Sequence, residues 1–393
     1  MASSIVVFGA FDRHNLGDLL FAHLAQALLP GEELIFAGLA SRDLRPFGGH
    51  RVQSLAEVAA VVGERPVRVL QLGGELLTCT AWQAAVMLQP AAEVQRTLAW
   101  LARRPSTRRR WMRDVIGRDD RAPYLFARNA LPNVERLVVA GVGGVDLARC
   151  ATPMRDEVLA KLRAADAVGV RDLRTQRALH DAGLDAALVP DPAVLVAQRC
   201  GAEIEAHARR GEPARVAAAF GDGYVAVQAS AAFADDATLE ALARQLRGVQ
   251  AATGLGIVLF RAGAAPWHDD PGALQRLAAR LPRVHVFASL HPWDLCALVA
   301  RAGAVCASSL HARIVALAFG RPRVSVRPPR EPGQGRKLAA FAETWDADAG
   351  PPVDVRRTAA ALRCAIATPA STLGRAAFRA TAAWREHWGA LAV

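Results

Sequence analysis

Residues 304–326 read AVCASSLHARIVALAFGRPRVSV. Ala304 to Ala307 is a short apolar run that suits a buried strand. Ser308-Ser309 is a polar turn. Leu310 to Phe319 carries apolar residues at helical spacing and stops at Gly320, and Arg323 to Val326, with Val324 and Val326, reads as a strand again. Strand, turn, helix, turn and strand in so few residues make a parallel βαβ unit, with the polar turn at the carboxyl end of the first strand. The sheet that such a unit implies needs helices on both faces.

The same alternation extends outward from this unit. Upstream, strands are predicted at Tyr224–Gln228, Gly256–Phe260 and Val284–Phe287, with helices at Leu239–Thr253, Leu274–Leu281 and Pro292–Arg301. Pro292 suits the first turn of its helix. Further upstream a second set begins at Ile5–Phe8 and continues through Leu34–Ala37, Val67–Leu72, Leu137–Val142, Ala167–Val170 and Ala187–Val189. Between the two sets, residues 198–222 are polar and rich in Arg, Gly and Ala. The expected organisation is therefore a Rossmann-like domain over 1–197, a linker over 198–222, and a second Rossmann-like domain over 223–393 with a terminal helix. Two doubly wound domains would face each other across a cleft lined by the carboxyl ends of their strands.

Length and composition agree with this reading. The chain has 393 residues, 52% of them hydrophobic and 22% charged, enough for two cores and too apolar for a disordered chain. The net charge is +11, carried almost wholly by arginine, since Lys161 and Lys337 are the only lysines. Arginine's planar fork suits carboxylate and phosphate. Nucleic acid, an anionic membrane and an anionic small substrate compete as partners; no nucleic-acid-binding motif is present, so no nucleic-acid partner is expected. Residues 101–121 form a basic insertion in the first domain, with Arg103, Arg104, Arg108, Arg109, Arg110, Arg113, Arg118 and Arg121 around Trp111 and Met112. It reads either as a solvated face or as a patch for anionic headgroups. The N-terminus runs straight into a strand, with no signal-peptide pattern and no transmembrane run. The expectation is a cytoplasmic protein, with peripheral contact at the inner membrane face as one reading of the basic insertion.

The six cysteines lack paired spacing, and His285 and His291 lack ligand-spaced partners in the sequence, so no metal site is expected. Five places carry candidate chemistry. Ser308 and Ser309, with the backbone N–H groups of the turn, form an anion site if those groups are free, or a plain helix cap if they are not. His311 follows in the first helical turn. Arg171-Asp172 ends a strand, where Arg171 could fork onto an anion or pair on the surface. The opening turn holds His14, Asn15, Gly17 and Asp18. Gly73-Gly74-Glu75 ends another strand, and its glycines permit close approach of a ligand or of the chain itself. Pro190-Asp191-Pro192 turns the chain after the last strand of the first set.

Taken in order, Asn15-Leu16-Gly17-Asp18, Gly73-Gly74, Arg171-Asp172, Pro190-Asp191-Pro192, Ser308-Ser309-Leu310-His311 and the late Lys337 resemble the polysaccharide pyruvyl transferases over about residues 5–341. The resemblance implies an architecture similar to the GT-B glycosyltransferases. It also implies transfer of pyruvate from phosphoenolpyruvate to two hydroxyls of a glycan or lipid-linked sugar, giving a ketal. Phosphoenolpyruvate is then a donor substrate and no cofactor is required. In that family an arginine like Arg171 and a histidine like His311 contact the donor. His311 is the expected acid or base, with His14 and Asp18 second. The family has arginine where this chain has Ser309. Either Arg313, Arg327 or Arg330 supplies the missing charge, or the donor differs, or activity is weak or lost; Leu310 keeps its family position. A nucleotide-sugar glycosyltransferase and a non-catalytic binding protein on the same fold are the competing readings.

Overall fold

The computed structural model describes residues 4–90, 92–329 and 335–391. The chain divides into two compact units, residues 1–192 with 383–393, and residues 193–382.

The first unit is built on an eight-stranded sheet. Its strands are β1 (Ile5–Phe8), β2 (Leu34–Gly38), β3 (Arg42–Asp43), β4 (Arg51–Ser54), β5 (Val67–Leu72), β6 (Val134–Val142), β7 (Ala167–Val170) and β8 (Ala187–Leu188). They lie in the order β3-β4-β2-β1-β5-β6-β7-β8. Every neighbouring pair is parallel except β3–β4, a short antiparallel edge. The central strand β1 is fully buried and apolar, as a parallel strand covered on both faces must be.

The second unit carries a six-stranded sheet of β9 (Tyr224–Gln228), β10 (Gly256–Leu259), β11 (Val284–Val286), β12 (Ala304–Ala307), β13 (Arg323–Arg327) and β14 (Val353–Asp354). Its order is β11-β10-β9-β12-β13-β14, parallel throughout. The order reverses beside β9 and β12, the topological switch point where open α/β sheets bind ligands. The turn at Ser308-Ser309 leaves β12 at that switch point.

Two expected boundaries change. Residues 198–222 are not a linker: they include the helices Gly201–Ala208 and Gly211–Ala219, which belong to the second unit. Ile204 and Ala208, and then Pro213 and Val216, are buried at helical spacing. Glu212 accepts from the backbone of Ala288 and Ser289 and so ties the second of these helices to the loop after β11. The unit therefore begins at Ala193. The terminal helix Ala370–Leu391 does not belong to the second unit alone either, because residues from Ala383 onward group with the first unit. Trp384 is 1% exposed, and a Cβ added at Gly141 in β6 would lie 3.3 Å from its ring. That indole is part of the first unit's packing.

Candidate functional site

In the second unit the switch-point turn is organised by one side chain that the sequence reading did not single out. Gln228 is the last residue of β9 and is almost wholly buried. Its Oε1 accepts from the backbone N–H of Ser308 at 3.0 Å, from that of Ser309 at 2.8 Å and from Ser308 Oγ at 3.2 Å. Its Nε2 donates to Asp269 Oδ1 at 2.6 Å. Asp269 in turn accepts from the N–H groups of Ala262 at 2.6 Å and Gly263 at 3.2 Å. Burial pushes the Asp269 carboxyl up to about 6, against the hydrogen bonds that favour its charge. Ser308 Oγ also accepts from Ser230 N–H at 3.0 Å.

The two amides expected to greet an anion are thus satisfied within the chain, and the free-amide form of the expectation is corrected. Ser309 caps the helix Leu310–Ala318 with its side chain accepting from Ala312 N–H, the capping role weighed against anion binding from the sequence. Leu310 is core, and His311 is 8% exposed in the first turn.

Arg313 cannot replace the missing family arginine. It lies two residues beyond His311, about 200° round the helix. Its guanidinium is 1% exposed and donates to Asp346 Oδ2 at 2.8 Å, Ser325 Oγ at 3.1 Å and the Gly350 carbonyl at 2.9 Å. Arg323 binds the same carboxylate, with Nε 2.8 Å from Oδ2. Burial, reinforced by Arg323, lowers the Arg313 pKa despite Asp346. Arg327 is half-buried at the end of β13, Lys337 is exposed in the first turn of the helix Arg336–Trp345, and Arg330 lies outside the described residues.

In the first unit Arg171 is 2% exposed. Its Nη1 donates to Asp191 Oδ2 at 2.8 Å and its Nη2 pairs with Glu75. Burial opposes the charge, and the two carboxylates outweigh it, so Arg171 is held above its ordinary pKa. An arginine open for an anion was one expectation and a surface pair with Asp172 the other. The structure shows a buried clasp joining Glu75, after β5, to Asp191 in the Pro-Asp-Pro turn. Asp172 instead caps the helix Leu173–His180, accepting from Thr175 N–H at 2.8 Å. Glu75 also accepts from Val145 N–H at 3.1 Å. Its place after a glycine pair at a strand's carboxyl end was the available signal.

Gly73 and Gly74 have φ of +67° and +88°, which favours glycine. A Cβ at Gly73 would fall 2.5 Å from the Phe21 ring, so the chain itself makes the close approach there. Gly17 and Asp18 are buried in the helix Leu16–Leu28. Asn15, at its N-cap, donates to Asp18 Oδ2 at 3.0 Å, and Arg13 pairs with the same oxygen at 3.3 Å. The Arg13 guanidinium also sits 4.8 Å from the centre of the Tyr124 ring, whose hydroxyl donates to Asp12 at 2.7 Å. Asp18 is therefore an ion-pair partner in a buried network. His14 is 8% exposed, edge-on to Phe47 at 5.8 Å.

The histidines read as lacking partners have them. His285 lies 2.8 Å from Glu212. His291 stacks on His207 at 4.5 Å, and His207 Nδ1 is 2.6 Å from Asp294. His207, His291 and Asp294 are ligand types close enough to share a cation. The surrounding donors oppose one: Arg210 lies 2.7 Å from His207 Nε2, and Trp293 N–H donates to His291 Nδ1 at 3.2 Å. The group fastens the helix Gly201–Ala208 to the helix Pro292–Arg301.

Comparison with known proteins agrees with this architecture. An S. aureus MnaA–UDP co-structure is 12% identical, with TM-score 0.54 over 96% of this chain and 91% of that one. A putative UDP-N-acetylglucosamine 2-epimerase from Listeria monocytogenes is 14% identical, with TM-score 0.53 over 98% and 96%. An α,α-trehalose 6-phosphate synthase from Burkholderia multivorans is 13% identical, with TM-score 0.50 over 100% and 98%. At such identities the likeness concerns the fold, two Rossmann-like units of the GT-B kind. No curated protein sequence matches the chain. Residues 152–328 match the family model described as polysaccharide pyruvyl transferase, a stretch that holds Arg171-Asp172, Pro190-Asp191-Pro192 and Ser308-Ser309-Leu310-His311.

Proposed function

We propose that the protein transfers pyruvate from phosphoenolpyruvate to a glycan or lipid-linked sugar, forming a ketal. The observation that carries the reading is the family match over 152–328, which contains His311 in the first turn of the helix after the switch-point strand.

The chemistry needs a proton at the donor's terminal methylene, a sugar hydroxyl added at its central carbon, and phosphate released before the second hydroxyl closes the ring. In this proposal His311 exchanges the protons, with His14 and Asp18 as the second pair, and no cofactor takes part. Gln228 fixes the turn that precedes His311, so it positions the imidazole without contributing charge. Arg171 reaches the donor only if an incoming carboxylate displaces Glu75, the more exposed of its two partners. Lys337, Arg327 and Arg330 are the remaining cations proposed to balance the donor where the family has arginine and this chain has Ser309.

A nucleotide-sugar donor is the second reading. It is favoured by the UDP and UDP-GlcNAc bound in structures of the same fold. Calorimetric titration with phosphoenolpyruvate and with UDP-GlcNAc separates the two. Pyruvyl transfer predicts phosphoenolpyruvate binding that weakens by about tenfold or more in His311→Ala. Binding of UDP-GlcNAc with none of phosphoenolpyruvate would overturn it.

A further inference from the structure

Between β5 and β6 the chain makes two surface helices, Val94–Ala102 and Pro105–Ile116. The second is anchored by one face, on which Trp111, Met112 and Val115 pack against the first unit's core around the buried Ile116. The opposite side carries Arg109, Arg110 and Arg113, all exposed beside Asp114, and Arg103 and Arg104 just before the helix are exposed too; Arg108, also exposed, stands one turn before Trp111 and Met112 on the anchored side. Residues 96–121 hold nine arginines and three aspartates, an excess of six charges out of the chain's +11.

The aspartates are already used. Asp119 pairs with Arg109 at 2.7 Å, Asp120 with Arg118 at 2.6 Å, and Asp114 lies 3.9 Å from Arg110. Among the described residues no carboxylate pairs with Arg96, Arg103, Arg104, Arg108 or Arg113. Two of these lie over indoles instead: Arg108 at 3.6 Å from the Trp82 ring centre and Arg104 at 4.9 Å from that of Trp100. Trp100 is 45% exposed. A large indole left in solvent beside unpaired guanidiniums has the amphipathic make-up of a membrane-interface residue.

We propose that this helical pair docks the protein on an anionic phospholipid surface, with Arg103, Arg104 and Arg113 on the headgroups and Trp100 at the headgroup level. A helix held flat on the core presents its charges as a face, which suits a lipid surface better than a nucleic-acid groove. Among the described residues no helix is long and apolar enough to cross a membrane, so attachment of this kind would be peripheral. The inference stands apart from the identity of the donor.

The test is flotation of the full-length protein with phosphatidylglycerol vesicles and with phosphatidylcholine vesicles, at low ionic strength and at about 0.5 M salt. Binding to the anionic vesicles alone, released by salt, is expected. Each of these arginines replaced by glutamine should weaken it roughly fivefold, and the triple variant Arg103→Gln/Arg104→Gln/Arg113→Gln by roughly a hundredfold. Trp100→Ala should weaken binding without removing its salt dependence. Failure of the wild-type protein to float at low salt would overturn the proposal. So would undiminished binding by the triple variant, or arginine-dependent retention on an RNA or duplex DNA oligonucleotide with none on vesicles. The salt response of the wild-type protein remains decisive if the variant folds poorly.

Discussion

At the scale of single residues, the turn before His311 is set by Gln228 and Asp269, two side chains with no motif of their own. Gln228 spends its carbonyl oxygen on the Ser308-Ser309 turn and its amide on Asp269, so the aspartate fixes which way the amide points. The Asp269 carboxyl, at about 6, is well above its ordinary value near 3.8. An acid raised on folding binds its proton more tightly in the folded state, so its contribution is fully present below the unfolded value and is lost as pH rises through about 6. Denaturation from about pH 4 to pH 7 should therefore show wild-type protein losing of the order of 2 kcal/mol relative to Asp269→Asn, with the difference level above that range. Parallel profiles for the two proteins would mean that Asp269 does not titrate there. None of this was legible in the sequence. Gln228, Asp269 and Ser308 meet only because β9 lies between β10 and β12 in the sheet, and nothing local distinguishes this glutamine from any other at a strand end. Glu75 and Asp191 were half legible: both stood in quoted motifs, but their meeting on Arg171 depends on the order of β5, β6, β7 and β8.

At the scale of elements, the strands were the most readable part. Ile5–Phe8, Val67–Leu72, Ala167–Val170, Tyr224–Gln228 and Ala304–Ala307 have the bounds expected from their sequence, because mostly buried parallel strands read as largely apolar runs. The helices Gly201–Ala208 and Gly211–Ala219 were missed, since alanine and glycine give little contrast between a buried and a solvated face. The helix after β12 shows the converse. Its existence was plain, but the side on which Arg313 lies was decided by a partner far along the chain. Arg313 and Arg323 share Asp346, which is fully buried. Removing that carboxylate leaves two buried guanidiniums facing each other. Asp346→Ala should cost about 3 to 5 kcal/mol in urea denaturation. A loss under about 1 kcal/mol would show that the carbonyls and Ser325 suffice to hold both arginines.

At the scale of the whole molecule, two separate cores share one terminal helix. Its earlier turns belong to the second unit and its residues from Ala383 onward to the first. The sequence placed this helix entirely in the second domain because chain order is the only guide before the packing is known. Trp384 records the actual assignment: it is 1% exposed, stacked on Trp388 at 5.5 Å and close to Gly141 in β6. Gly141 has φ of +66°, and a Cβ there would also fall 2.8 Å from the Pro190 carbonyl, so β6 leaves space for the indole at a position where a larger residue would not fit. Truncating a buried Trp to Ala costs about 3 to 5 kcal/mol. In Trp384→Ala that loss should fall on the first unit. Scanning calorimetry should show the transition that carries the first unit's core moving down by several degrees, while the remaining transition keeps its position. Hydrogen exchange should quicken in β6 and β8 before it quickens in β9 and β12. Equal acceleration in both sheets would show instead that the terminal helix couples the units into one cooperative structure.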